Sequence, residues 1–204
     1  MSPRPKISLD LSTILKVAVD IADQNGFEEV TLANLAKKLS IRPPSLYNHF
    51  EGLPDLRKKL AIYGLNQLYS ELVNRSIGIL GEKAVLALSL TYVNFARNHP
   101  GLYEATLQAP DPIDSELQTA GGKIVELTLQ VLHAYQLPEE NALHAVRGLR
   151  SILHGFATLE QKGGFAINLD LNESLTFIIK AFLKGIRELS EGIRTPYKGQ
   201  SLKE

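Results

Sequence analysis

The chain contains no cysteine, no tryptophan and a single methionine in 204 residues. Without cysteine there is no disulfide and no thiolate metal site, a usage compatible with a reducing compartment. Net charge is also lacking, because 22 Lys and Arg balance 22 Asp and Glu. No global field therefore draws the chain to nucleic acid or to a membrane, and any such binding must come from a local patch. The opening MSPRPKISLD has no apolar run of signal-peptide type. No window approaches the ~18 uninterrupted apolar residues of a membrane helix. Strand signals are nearly absent, and there is no internal repeat. There is no nucleotide-binding loop, nucleophile elbow or metal-ligand spacing, and His49, His99, His133, His144 and His154 are scattered. The expectation is a soluble, cytoplasmic protein with no cofactor, no membrane partner and no enzymatic activity.

What is present is helical periodicity. Apolar residues make up 44% of the chain and charged residues 22%, enough to bury a core. Ile14, Leu15, Ala18, Ile21 and Ala22 recur at three and four over residues 11–25, and Asn25-Gly26 supplies a left-handed stop. Thr31 is a good N-cap for a helix over 32–39 with Leu32, Leu35, Ala36 and Leu39 inward. A helix over about 44–50 follows a three-residue turn, and a longer one starts near 53 with Pro54 and Asp55 in its first turn. Further helices are expected over about 82–98, 100–109, 113–135, 138–162 and 171–192. Pro100, Pro112 and Pro138 stand where helices should start, and Gly163-Gly164 ends one. The fold class is all-α, with residues 1–52 in short helices and 53–204 in longer ones. Residues 1–60 hold nine Lys/Arg and seven Asp/Glu, a net of +2, and the remainder thirteen and fifteen, a net of −2.

The stretch SIRPPSLYNHF, residues 40–50, holds two adjacent prolines and one full charge, Arg42. Pro43 and Pro44 fix φ near −65° and lack N–H groups that a first helical turn leaves unused. They pre-set a short helix that would not nucleate alone. Helix, three-residue turn and short helix is helix-turn-helix spacing, and the second helix of that motif meets base edges in the major groove. Leu46 and Phe50, four apart, are expected to face inward. Ser45, Tyr47, Asn48 and His49 are left to face outward and suit phosphate, thymine-methyl and base-edge contacts. A packing role for Tyr47 or His49 is the plainer alternative.

GFEEVTLANLAKKLSIRPPSLYNHF resembles the DNA-binding domain of TetR-family transcriptional regulators, over about residues 9–60. The carriers are the Ile14/Ala18/Ile21 face, Gly26-Phe27 ahead of Thr31, Leu35-Ala36, Leu46-Tyr47 and His49-Phe50. The resemblance implies an N-terminal three-helix helix-turn-helix domain (1–52, motif about 31–50). A long helix would join it to a C-terminal helical domain (53–204) for effector binding and dimerisation. It implies a homodimeric regulator, usually a repressor, that binds a palindromic double-stranded operator and is released by a small-molecule effector. Thr31, Arg42, Pro43, Pro44, Ser45, Tyr47, Asn48 and His49 match positions that family members use at DNA. Two positions depart from the family pattern. Arg42 stands where a small capping residue is usual, and it would gain a phosphate or a guanine. Leu53 stands where a lysine often contacts phosphate, so either Arg57 or Lys58 replaces that contact or it is missing. Lys37 and Lys38 are candidates for phosphate, although charges on an outer helix face are ordinarily only solvated. Arg4 and Lys6 form a basic arm of the kind that can reach a minor groove.

In the larger part, Ala142, Ala145, Val146, Leu149, Ile152, Leu153, Phe156 and Leu159 recur at three and four, as do Leu171, Leu175, Ile178, Ile179, Phe182, Leu183, Ile186 and Leu189. Faces this wide exceed the ~100° stripe a surface helix needs. They suggest burial on two sides, against the core and against a partner, with a larger monomeric core as the alternative. The resemblance favours the dimer, through Val146, Leu149, Leu153, His154, Phe156, Ile178, Phe182 and Ile186. RSILHGFATLEQKGGF, from 150, resembles a C-terminal subtype named for Trp followed by His-Gly; His154-Gly155 matches, but Arg150 stands in place of the tryptophan. The resemblance places an effector pocket among helices from about 60 to 135. Tyr63, Tyr92, Phe95, His99, Tyr103 and His133 are its candidate lining, with a core or surface role as the plainer alternative for each. A helical binding module without DNA-binding activity is the competing reading.

Overall fold

A computed structural model describes residues 10–107 and 114–194, with side chains through Gly192. Its α-helices are α1 (Leu11–Asn25), α2 (Leu32–Leu39), α3 (Leu53–Ser76), α4 (Gly81–Asn98), α5 (Pro100–Thr106), α6 (Ser115–Leu132), α7 (Glu139–Gln161) and α8 (Leu171–Arg194). No strand occurs among the described residues, and no helix there is long and apolar enough to cross a membrane. Arg4, Lys6 and Pro112 lie outside the described residues. The chain divides into two compact units, Met1–Ser70 with Phe95–Lys123, and Glu71–Asn94 with Ile124–Glu204; the divisions fall inside α3, α4 and α6.

The first unit is built on α1. Asp10 caps it, accepting from the Thr13 N–H at 2.7 Å. It ends at Gly26, whose φ of +99° and ψ of 154° lie where a Cβ is not tolerated. Ile14, Leu15, Ala18, Ile21 and Ala22 are buried, the face read from the sequence. A 3₁₀ turn over Phe27–Glu29, which periodicity does not announce, buries Phe27. Thr31 caps α2, accepting from the Asn34 N–H at 3.1 Å.

α5 is joined to α1 by one carboxylate. Asp23 Oδ1 accepts from the Gly101 and Leu102 N–H groups at 3.0 and 2.9 Å, and Oδ2 lies 2.9 Å from His99 Nδ1. A Cβ on Gly101 would stand 2.0 Å from the Ala22 carbonyl oxygen, so only glycine permits this approach.

The second unit packs α7 and α8 by their inner faces. Ala145, Val146, Leu149, Leu153, Phe156 and Ala157 are buried on α7, and Leu175, Ile179, Leu183 and Ile186 on α8. Gly148 leaves room for the Phe182 ring. Phe165, in the connection after α7, lies on Phe156 with ring centroids 4.9 Å apart.

Candidate nucleic-acid interface

Between α2 and α3 the chain turns at Ser40, a non-glycine residue with φ 56° and ψ 38°. Its N–H bonds back to Lys37 and Ala36, and the Ile41 N–H reaches Ala36 at 3.0 Å. These bonds satisfy the last carbonyls of α2. The expected helix over 44–50 is instead a 3₁₀ helix over Pro43–Asn48. The stretch is only six residues long, a length at which 3₁₀ winding is common, and the missing proline donors cost either winding nothing. The Ser45 N–H donates to the Arg42 carbonyl at 3.0 Å. At the other end the Phe50 N–H reaches the Leu46 carbonyl at 3.0 Å, an α-type closure that brings Phe50 over Leu46.

That geometry sorts the side chains. Leu46 and Phe50 are buried, while Tyr47 is 61% exposed. Arg42, Pro43, Pro44 and Asn48 are exposed, and Ser45, His49 and Thr31 half-buried. Thr31 spends its hydroxyl on the cap of α2. From Val30 to Phe50 there is no Asp or Glu, while Lys37, Lys38 and Arg42 are all present. The neutral chain therefore carries a local cationic stretch over α2 and the 3₁₀ helix.

The cations in the first two turns of α3 are held by carboxylates. Lys58 was expected at a phosphate, but its Nζ lies 2.8 Å from Asp114 Oδ2 and 3.1 Å from Glu116 Oε2. Hydrogen bonds that Lys58 donates to Asp114 and then Glu116 raise the Lys58 pKa, and the Lys58 bond first of all holds the Asp114 carboxyl below its usual range. Asp114 also accepts from the Leu117 N–H at 3.2 Å, so it caps α6 and binds α3 at once. Arg57, the other expected replacement at Leu53, pairs with Glu28 at 2.8 Å and lies 4.8 Å above the Phe27 ring. Lys59 donates to the His49 carbonyl at 3.0 Å and to Asp55 Oδ2 at 2.8 Å, 5.5 Å from the Phe50 ring. It thereby fixes the end of the 3₁₀ helix. Sequence reading missed this role, since the only local signal was the Asp55/Lys59 spacing of four. Lys38 donates to Gln24 at 3.3 Å.

The effector candidates are mostly spent on structure. Tyr103, Phe95 and Tyr92 are 1%, 0% and 6% exposed and serve as core. His99 is taken by Asp23 and lies against Phe95, ring centroids 5.4 Å apart. Tyr63 is half-buried and His133 exposed. None of the six lines either of two clefts in the second unit. One, of about 300 Å³, is bounded by Gly81, Glu82, Tyr135, Arg187, Ser190 and Glu191 among others. The other, of about 500 Å³, is bounded by Leu90, Asn94, Asn172, Glu173, Thr176, Phe177 and Lys180.

Five of the eight expected interface residues, Val146, Leu149, Leu153, Phe156 and Ile186, are buried within a single chain. They occupy the inner stripe that α7 and α8 turn on their own unit. His154 and Phe182 are half-buried, and Ile178 is 39% exposed. A separate stripe on α8, Ile178, Ala181, Gly185 and Leu189, faces outward at three- and four-residue spacing. On α7, Ile152 and Gly155 are half-buried and Leu159 is 50% exposed.

Comparison with known proteins agrees with this arrangement. Residues 14–56 match the family described as bacterial regulatory proteins, tetR family, and residues 85–182 match the tetracyclin repressor-like C-terminal domain. The chain is 42% identical over 184 residues to YobS of Bacillus subtilis, named an uncharacterized HTH-type transcriptional regulator, covering 89% of this chain and 95% of YobS. A regulator of the same kind from Mycobacterium tuberculosis is 33% identical, over 76% of this chain and 72% of that protein. Among solved structures, a TetR from Streptomyces coelicolor superposes with a TM-score of 0.72 at 20% identity, over 89% of this chain and 99% of that one. A TetR variant from Acinetobacter baumannii in complex with minocycline gives 0.66 at 18% identity, over 89% and 98%. The chain belongs to the TetR family and is a DNA-binding transcriptional regulator.

Proposed function

We propose that the chain is a ligand-responsive repressor that binds a palindromic operator as a homodimer and is released by a small molecule. The observation that carries the DNA part is the projecting 3₁₀ helix, with Leu46 and Phe50 as buried anchors and Tyr47 and Asn48 exposed beside Arg42. Tyr47 and Asn48 meet base edges or phosphates, and His49 and Ser45 flank them. Lys58 takes no part while it is paired with Asp114 and Glu116.

The dimer reading rests on the outward stripe of α8. Leu189 is 65% exposed, and a Cβ on Gly185 or on Gly155 of α7 would meet nothing within 4 Å. Small residues amid exposed Ile and Leu suit the close approach of a second copy. Two-fold pairing would set two recognition elements one DNA turn, ~34–36 Å, apart. The effector reading rests on the 500 Å³ cleft of the second unit, a size within the range of small-molecule sites. Phe177, 74% exposed at its edge, offers a flat apolar face. The A. baumannii variant in complex with minocycline supports a small-molecule role for this fold.

One observation favours the competing reading of a module without DNA binding: Arg57, Lys58 and Lys59 are each paired with a carboxylate. Gel retardation of random duplex at low salt separates the two. The repressor reading expects retention that weakens as salt rises, with a slope of about −0.9 per phosphate contacted. Absence of retention at any salt selects the alternative.

A further inference from the structure

We infer that Arg42 reads a guanine base edge in each half of the operator, and that it does not serve as a phosphate anchor; the inference rests on the DNA-binding reading above. Its neighbours define what it is free to do. Of the cations flanking it, Lys38 bonds to Gln24, Arg57 to Glu28, Lys58 to Asp114 and Glu116, and Lys59 to Asp55 and the His49 carbonyl, while exposed Lys37 on α2 is unpaired among the described residues, as Arg42 is. The Arg42 guanidinium makes no hydrogen bond or ion pair among the described residues. No carboxylate lies between Val30 and Phe50 to claim it.

Its placement favours base over phosphate. Arg42 is the N-cap residue of the 3₁₀ helix, with φ −85° and ψ 140°. The following proline excludes the helical region for this residue, so its backbone is restrained before any ligand arrives. Arginine has no acceptor to cap a helix, and the side chain is not consumed locally. The N-terminal end of a recognition element is the end that meets base edges. There a planar guanidinium pairs two N–H groups with guanine O6 and N7 at once, which a lysine does not reproduce. The helix offers no other permanent cation, since Ser45, Tyr47, Asn48 and His49 complete its polar set.

The test is selection of bound duplexes from a random pool by the full-length chain, by Arg42→Ala and by Arg42→Lys, with melting curves to confirm equal folding. The inference expects a guanine at one fixed position of each half-site for the wild type. Replacing that guanine should weaken wild-type binding about 5- to 150-fold and leave Arg42→Ala indifferent, while Arg42→Lys should lose the guanine preference. A uniform loss across sequences with Arg42→Ala, a salt slope shallower by about one phosphate and an unchanged guanine would overturn it. So would full rescue by Arg42→Lys. If the wild type enriches no duplex, the DNA-binding reading itself falls, whatever the variants do.

Discussion

Leu46 and Phe50 are 0% and 2% exposed, yet Tyr47 beside them is 61% exposed. The contrast assigns opposite outcomes to neighbouring substitutions. Leu46→Ala removes a fully buried side chain from a small helical unit, and should destabilise by about 2–5 kcal/mol, read by denaturant unfolding. Tyr47→Ala should leave the melting temperature unchanged and weaken operator binding at least about tenfold, as loss of one good contact does. Gly101→Ala should unfold or markedly destabilise the chain, because its Cβ would stand 2.0 Å from backbone at Ala22; a wild-type melting curve would refute that contact. At this scale the sequence was informative where spacing fixes a face, as for Leu46 and Phe50. It was mute where a partner is remote: nothing near Lys58 in the chain announces Asp114, and nothing near His99 announces Asp23.

Helices were the legible elements. Their periodicity and their proline and threonine starts placed α1, α2 and α4 to within a residue or two, whereas the stub after Pro43 wound more tightly than expected. The reason is local, since short length is felt by hydrogen bonding and not by hydrophobic pattern. Between elements, α6 is fastened to α3 by Lys58 and Asp114, and this link has a pH signature. Asp114 has its carboxyl pKa lowered in the folded chain, so the stability it contributes is present above its unfolded pKa near 4 and is lost as pH falls through the folded value. Lys58 has its pKa raised, so its contribution is present below about 10.5 and is lost as pH rises through the folded value. The melting temperature of the wild type minus that of Lys58→Met should therefore be positive and flat through neutral pH and shrink at both extremes. A difference independent of pH from 2 to 11 would show that the pair contributes nothing.

For the molecule as a whole, the apolar faces of α7 and α8 are wider than the inner stripe, and pattern alone did not divide them. The inner stripe is filled within the chain, while Ile178, Ala181, Gly185 and Leu189 remain outside. A substitution at Leu189 therefore tests assembly more cleanly than one at Phe182, whose ring packs over Gly148. Leu189→Glu should convert a dimer to a folded monomer by light scattering, with helical content retained; a dimer of unchanged mass would place the seam elsewhere.

The central claim is that the tip formed by Arg42 to Asn48 enters a DNA groove. Its most direct measurement is the affinity of the selected duplex for the wild type and for a Tyr47→Ala/Asn48→Ala double variant, over a range of salt. The account predicts salt-dependent binding by the wild type and a loss of about tenfold or more at every salt for a variant that melts normally. Equal affinity of the two proteins at all salts would contradict it.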